Sequence, residues 1–183
     1  MEKRVSELVK VYRADDNRLQ TYHFHNGYEL IFIEEGSSEF IINQKAVQYQ
    51  RNHLIFINQM EQHQMKPLSK KYIRYVMIFD PDFFDRFVHD QILCSIFKQR
   101  PENFKNGFEV PEPAAAYILQ IVKTCVDEYD KKEQFSNMSV MSNTILLLIY
   151  LYRHFPSKFP SVKSNMAMAK ATRIQNHIDQ HFL

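Results

Sequence analysis

Two histidines stand two residues apart, with a carboxylate four positions further on, in the stretch His23-Phe24-His25-Asn26-Gly27-Tyr28-Glu29; an apolar run then leads to Gly36. In an extended chain, side chains an even number of residues apart share a face. His23 and His25 therefore point the same way, and Glu29 joins them after a turn at Asn26-Gly27. A further histidine, His63, follows about a hairpin later. Three neutral imidazoles and a carboxylate form a ligand set for Fe, Mn, Ni or Zn with open positions. The same four groups, without an ion, can serve as the polar wall of an otherwise apolar small-molecule pocket. By strand alternation Ile31 and Ile33 share the face of Glu29 and would line that cavity. Histidines satisfied within a core are the plainer alternative, though four such groups at this spacing make it weaker than for a lone histidine.

The elements that must position these groups fall into two compositional halves. Residues 1–66 hold no proline and are rich in β-branched and aromatic types. Short alternating runs over Leu19–Phe24, Glu29–Glu34, Glu39–Ile42, Ala46–Gln50, His53–Ile57 and Tyr72–Phe79 predict strands at close, even spacing, as in a barrel or sandwich. Asn58–Gln64, which carries His63, reads as a polar loop. After Asp80 the period changes. Pro81–Leu93 fits a helix with proline in its first turn. Pro113 to about Lys131, and Ser136 or Asn137 to Phe155, give two long helices, the second capped by Ser136 or Asn137. The last of these is apolar around most of its circumference and so must be covered on more than one side. Partner helices, within the chain and across a homodimer, would cover it, with Ile118, Ile121, Cys125, Ile145, Leu148 and Tyr152 as the candidate dimerisation residues.

Composition excludes several classes. A hydrophobic content of 45% with 14% aromatics is ample for a packed core and argues against global disorder. A formal charge of +2 is too small to imply a nucleic-acid or membrane surface. Cys94 and Cys125 have no CxxC spacing, so two free thiols in a reducing cytosol are expected rather than a zinc knuckle or disulfide framework. No signal peptide is read at the start. The longest apolar run, Ile145–Tyr152, falls far short of the roughly 20 residues that span a bilayer.

The order His23-x-His25-x3-Glu29-x6-Gly36 resembles the first cupin motif, and Asn52–His63 resembles the second, with its histidine. Asn58 stands where cupins favour proline, and Met60 where they favour glycine. The segment from Ala171 to Phe182, with Ile174, Ile178 and Phe182 on one face, is similar to the opening helix of the DNA-binding region of AraC-type transcriptional regulators. The layout as a whole resembles the N-terminal regulatory half of that family. The resemblance implies a mainly β fold with α: a cupin-like jelly-roll β-barrel followed by a helical pair. It implies an N-terminal arm (1–18), a barrel with an effector pocket (19–80), a helical dimerisation region (81–156), a linker (157–169) and the start of a truncated helix-turn-helix domain (170–183). It further implies a bacterial, cytoplasmic regulator that is not an enzyme. Such a regulator binds a small-molecule effector, forms a homodimer, reaches operator DNA through the missing C-terminal domain and does not touch a membrane. His23, His25, Glu29, Ile31, Ile33 and His63 would then contact the effector; His23, His25, Glu29 and His63 could also hold a divalent metal. The competing function is a metal-dependent cupin enzyme of dioxygenase or isomerase type.

Overall fold

Polar turns cut the first eighty residues into short strands, and the inward residues of those strands sort them into two sheets. The computed structural model describes residues 8–59, 61–98 and 100–160. Its strands are β1 (Val9–Ala14), β2 (Gln20–His23), β3 (Tyr28–Glu35), β4 (Ser37–Ile42), β5 (Lys45–Gln50), β6 (His53–Ile57), β7 (His63–Pro67), β8 (Ile73–Phe79) and β9 (Gly107–Glu109). One sheet runs in the order β1-β8-β3-β6-β9 and the other β2-β7-β4-β5, with every pairing antiparallel.

Among the described residues neither sheet closes. The first ends at β1 and β9, the second at β2 and β5. The expected jelly-roll barrel is therefore corrected to a mixed α/β arrangement of two open sheets with helices. Closure would require edge strands to pair across the seam. Instead, the polar turn Asp15-Asp16-Asn17-Arg18 sends consecutive strands into different sheets: β1 pairs only with β8, and the four-residue β2 only with β7.

Strand β3 is buried on both faces because it serves two cores. Ile31 and Ile33 meet Phe40, Ile42, Tyr49 and Met65 between the sheets. Leu30 and Phe32 turn the other way, toward the helices. Gly36, at φ +85, makes the turn from β3 to β4, and a β-carbon there would strike the Lys71 carbonyl. β7 begins at His63, within the stretch expected as a polar loop, and β9 is a three-residue strand too short to show an alternating pattern.

The helices are α1 (Pro81–Phe87), α2 (Gln91–Cys94), α3 (Glu112–Lys131) and α4 (Ser136–His154). The single helix expected over Pro81–Leu93 is two. Asp80 caps α1 by accepting the Phe83 N–H at 3.0 Å, and Asp90 starts α2 afresh by accepting from Ile92 and Leu93. α4 opens on Phe135, left-handed at φ 70, rather than on a serine or asparagine cap. Ile118, Val122 and Cys125 of α3 share one buried cluster with Val140, Met141, Leu147, Leu148 and Leu151 of α4. Each fully buried aliphatic side chain there stabilises by about 1.5–3 kcal/mol. No helix among the described residues is long and apolar enough to cross a membrane. The segment before Leu8, the linker after Pro160 and the expected helix over 170–183 lie outside the described residues.

Candidate functional site

The four polar groups singled out in the sequence converge, but from two sheets rather than along one. His23 ends β2 in the second sheet, Glu29 sits in β3 of the first, and His25 lies in the crossing between them. His63 opens β7 directly opposite His23. Gly27 permits the crossing, since a β-carbon there would lie 2.8 Å from the Ile78 side chain and 3.3 Å from His25 Nδ1.

Glu29 is the hub. Its Oε2 lies 3.0 Å from His25 Nε2 and 3.3 Å from His63 Nε2. Burial pushes the carboxyl up, but the hydrogen bonds and charges of His25 and His63 outweigh it and hold the group down to about 2. For His63 burial acts downward, and the bond and charge of Glu29 override it, leaving the imidazole above its ordinary value. The ring centroids of His23 and His63 are 4.1 Å apart, and those of His25 and His63 5.2 Å.

The backbone sets two of the three tautomers. His23 Nδ1 lies 2.9 Å from the Thr21 carbonyl, and His63 Nδ1 2.8 Å from the Glu61 carbonyl. A carbonyl oxygen only accepts, so each ring carries a proton on Nδ1 and turns Nε2 toward the cluster. Glu61 is fixed in turn: its carboxylate accepts from the Asn58 N–H at 2.7 Å, Arg100 Nη1 at 2.9 Å and Asn106 Nδ2 at 3.2 Å. This clamp carries no signal in the sequence, because Arg100 and Asn106 lie outside every expected strand and helix. Nδ1 of His25 is buried without a hydrogen-bond partner.

The open seam between the sheets exposes the cluster. Lys10 and Tyr12 on edge strand β1, and Gln20 and His23 on edge strand β2, face one cleft of about 470 Å³, with His25, Asn26, Glu29, Ile78 and Asp80 completing its lining. Lys10, Tyr12, Gln20 and Asn26 carried no sequence signal beyond being polar residues near strands. Ile31 and Ile33, expected to line a cavity, lie instead in the packed core between the sheets, 3% and 0% exposed. A second concavity of about 450 Å³, lined by Leu8, Phe83, Phe87, Tyr129, Phe135 and Met138 among others, is mainly apolar. It holds none of the convergent histidines.

Of the candidate dimerisation residues, Ile118, Ile121, Cys125 and Leu148 belong to the chain's own core, which removes them from an outer surface. Ile145 is half-buried and Tyr152 exposed. The outward apolar residues of the helical pair include Tyr117, Met138 and Leu146 as well as Tyr152, and the Tyr117 ring lies 4.5 Å from that of Tyr150 at a tilt of 44°.

The three histidines each bring a ligand atom within 4.8 Å of the others. Three imidazoles and a carboxylate, two of the rings locked to backbone carbonyls, fit the requirements of a divalent transition metal.

Comparison with known proteins adds the family. The model of the AraC-like ligand binding domain matches residues 7–147. Among solved structures, the chain is similar to an apo lysine-to-alanine variant of ToxT from Vibrio cholerae strain SCE256. The TM-score is 0.52 at 11% identity, covering 82% of this chain and 56% of that one. Another ToxT structure from Vibrio cholerae gives 0.47 at 13% identity, covering 80% and 56%. The Cnp3 cupin domain of Schizosaccharomyces pombe gives 0.37 at 11%, covering 40% and 58%. The chain thus spans less than two thirds of each. No curated protein matches.

Proposed function

The chain belongs to the AraC-like ligand binding domain family, and from this premise we propose that it is the effector-sensing half of a longer DNA-binding regulator. Its role is regulatory rather than catalytic, as its family is. The observation that carries the reading is the cleft at the open seam, where Lys10, Tyr12, Gln20, His23 and His25 face one space above the buried Glu29. A small polar effector fits this concave, mixed lining.

An effector changes output only through a difference in its affinity for two arrangements of the protein. Strand β1 is the element suited to report that difference. Lys10 and Tyr12 face the cleft, while Val9 and Val11, one residue over, pack in the cluster that contains α3 and α4. A ligand that draws β1 inward alters the surface on which α3 rests. In the proposed assembly the outward stripe of Met138 and Leu146, with Tyr117 beside it, meets a second copy, and operator DNA is engaged by a part of the regulator other than residues 8–160.

Thermal-shift screening of a metabolite panel tests the reading. An effector at a hundred times its Kd stabilises the native state by about 2.7 kcal/mol. The effector found should lose that stabilisation in His25→Ala. A compound that stabilises the parent and His25→Ala equally would place the effector elsewhere and overturn the assignment of the cleft.

A further inference from the structure

We propose that the apolar concavity between α1 and the α3–α4 turn is a second ligand site, one that takes a neutral, planar aromatic molecule bearing a single oxygen acceptor. Hydroxyls further along α4 are satisfied by their own helix. Ser142 Oγ donates to the Met138 carbonyl at 2.9 Å, and Thr144 Oγ1 to that of Val140 at 2.8 Å, each four residues back. Ser136 stands at the first helical position, after Lys132 at φ 53 and Phe135 at φ 70 have turned the chain, so no helical carbonyl lies four residues behind it. Its Oγ is buried without a hydrogen-bond partner, and the residue is 7% exposed. Among the described residues that line the concavity, Ser136 alone is buried. An unmade bond on a buried hydroxyl is costly, and a ligand oxygen can make it.

Four aromatic side chains wall the rest. Phe83 and Phe87 come from α1 with ring centroids 5.0 Å apart, Tyr129 from the last turns of α3, and Phe135 from the turn itself. L residues resist the left-handed conformation that Phe135 adopts, yet its ring is 66% exposed, so the turn holds a large apolar surface open to solvent. Such rings favour another aromatic in offset or edge-on contact. A volume of about 450 Å³ falls within the range of small-molecule sites.

Charge selects a neutral ligand. Lys132 and Glu133, both exposed on the rim, carry opposite signs. α4 opens without a side-chain cap, but Glu133, three residues ahead of Ser136, already supplies the negative charge that a helix N-terminus favours. A carboxylate would give up its hydration for one hydroxyl, whereas a carbonyl loses far less. The site shares no lining residue with the cleft at the seam and does not rest on that reading.

The test is calorimetric titration of the full chain with coumarin. One molecule should bind per chain with a Kd below about 100 μM. Ser136→Ala should weaken binding about 10-fold while leaving the Tm of the free protein unchanged or higher, because it removes an orphaned hydroxyl. Phe135→Gly, which suits the left-handed turn, should weaken binding about 5-fold without unfolding the chain. Coumarin-3-carboxylate should bind about 10-fold more weakly than coumarin, or worse. Absence of coumarin binding overturns the inference, as does binding that Ser136→Ala leaves unchanged, or tighter binding of the carboxylate. Loss of binding in His25→Ala but not in Ser136→Ala would put the molecule in the seam and overturn it too. Binding that appears only after residues 1–7 are removed, or only in Leu146→Glu, would assign the concavity to the chain's own start or to a second copy, and would likewise refute it.

Discussion

Acid should unfold this domain through Glu29, and the size of the effect follows from its two histidine contacts. In metal-free protein the carboxyl is held down from its ordinary 4.5 to about 2. A group whose folded pKa is depressed contributes stability above its unfolded value and loses it as the pH falls through its folded value. At about 1.36 kcal/mol per unit, Glu29 contributes about 3 kcal/mol at neutral pH, and that contribution drains away between about pH 5 and pH 2. His63 acts with the opposite sign. Its folded pKa is raised, so its stabilisation is full below about 6.5 and is lost as pH rises through the folded value. The two curves overlap, and stability should peak on the acid side of neutrality. Urea unfolding of chelator-treated protein across that range is the assay, with Glu29→Gln as the comparison. The amide keeps the size of Glu29 but removes the charge that both histidines answer. The variant should be less stable at pH 7 by a few kcal/mol, and both limbs of its profile should flatten, since Glu29 is the main upward influence on His63. If parent and variant give parallel profiles, the contacts at 3.0 and 3.3 Å do not carry this energy and the account of the hub is wrong.

Three further outcomes are expected. Leu146→Glu, on the outward stripe of α4, should weaken self-association in sedimentation while leaving the circular dichroism melt nearly unchanged; Leu148→Ala, 0% exposed, should cost about 2–5 kcal/mol of stability without selectively changing association. Cys94 and Cys125 are buried, and burial pushes their thiols up to about 11 and about 12, so neither should react with a disulfide reagent near pH ~8 until the chain is unfolded. Gly36→Ala should lower the midpoint of unfolding by the equivalent of about 1–3 kcal/mol, since alanine resists φ +85 and its β-carbon meets the Lys71 carbonyl.

What the sequence could and could not disclose follows from what side-chain pattern encodes. Alternation marks which residues of a strand point inward, and it located β3, β4, β6 and β8 closely. It does not encode which edges pair, so the step from many short strands to a closed barrel had no support of its own. β7 shows a related blind spot. Its inward residues are His63 and Met65, its outward ones Gln64 and Lys66. The alternation is there, but a histidine at an inward position replaces the apolar residue that would have signalled a strand. The helical stripes were ambiguous for a different reason. An apolar face covered by a neighbouring strand and one covered by a second subunit have the same periodicity, and only the three-dimensional packing assigns Ile118, Cys125 and Leu148 to the first kind.

The correction to the fold bears on the site. Had β1 and β2 paired, the polar cluster would lie behind a closed wall. Because the turn at residues 15–18 separates those strands, the seam stays open where β2 brings His23 to His63 and β3 presents Glu29. The same separation leaves β1 attached to the rest of its sheet by one neighbour, β8, while its two faces touch the cleft and the helical core. An edge strand held on one side moves at lower cost than a central one. On the proposed function, a ligand in the seam would act on the strand of the first sheet best placed to carry the change to α3.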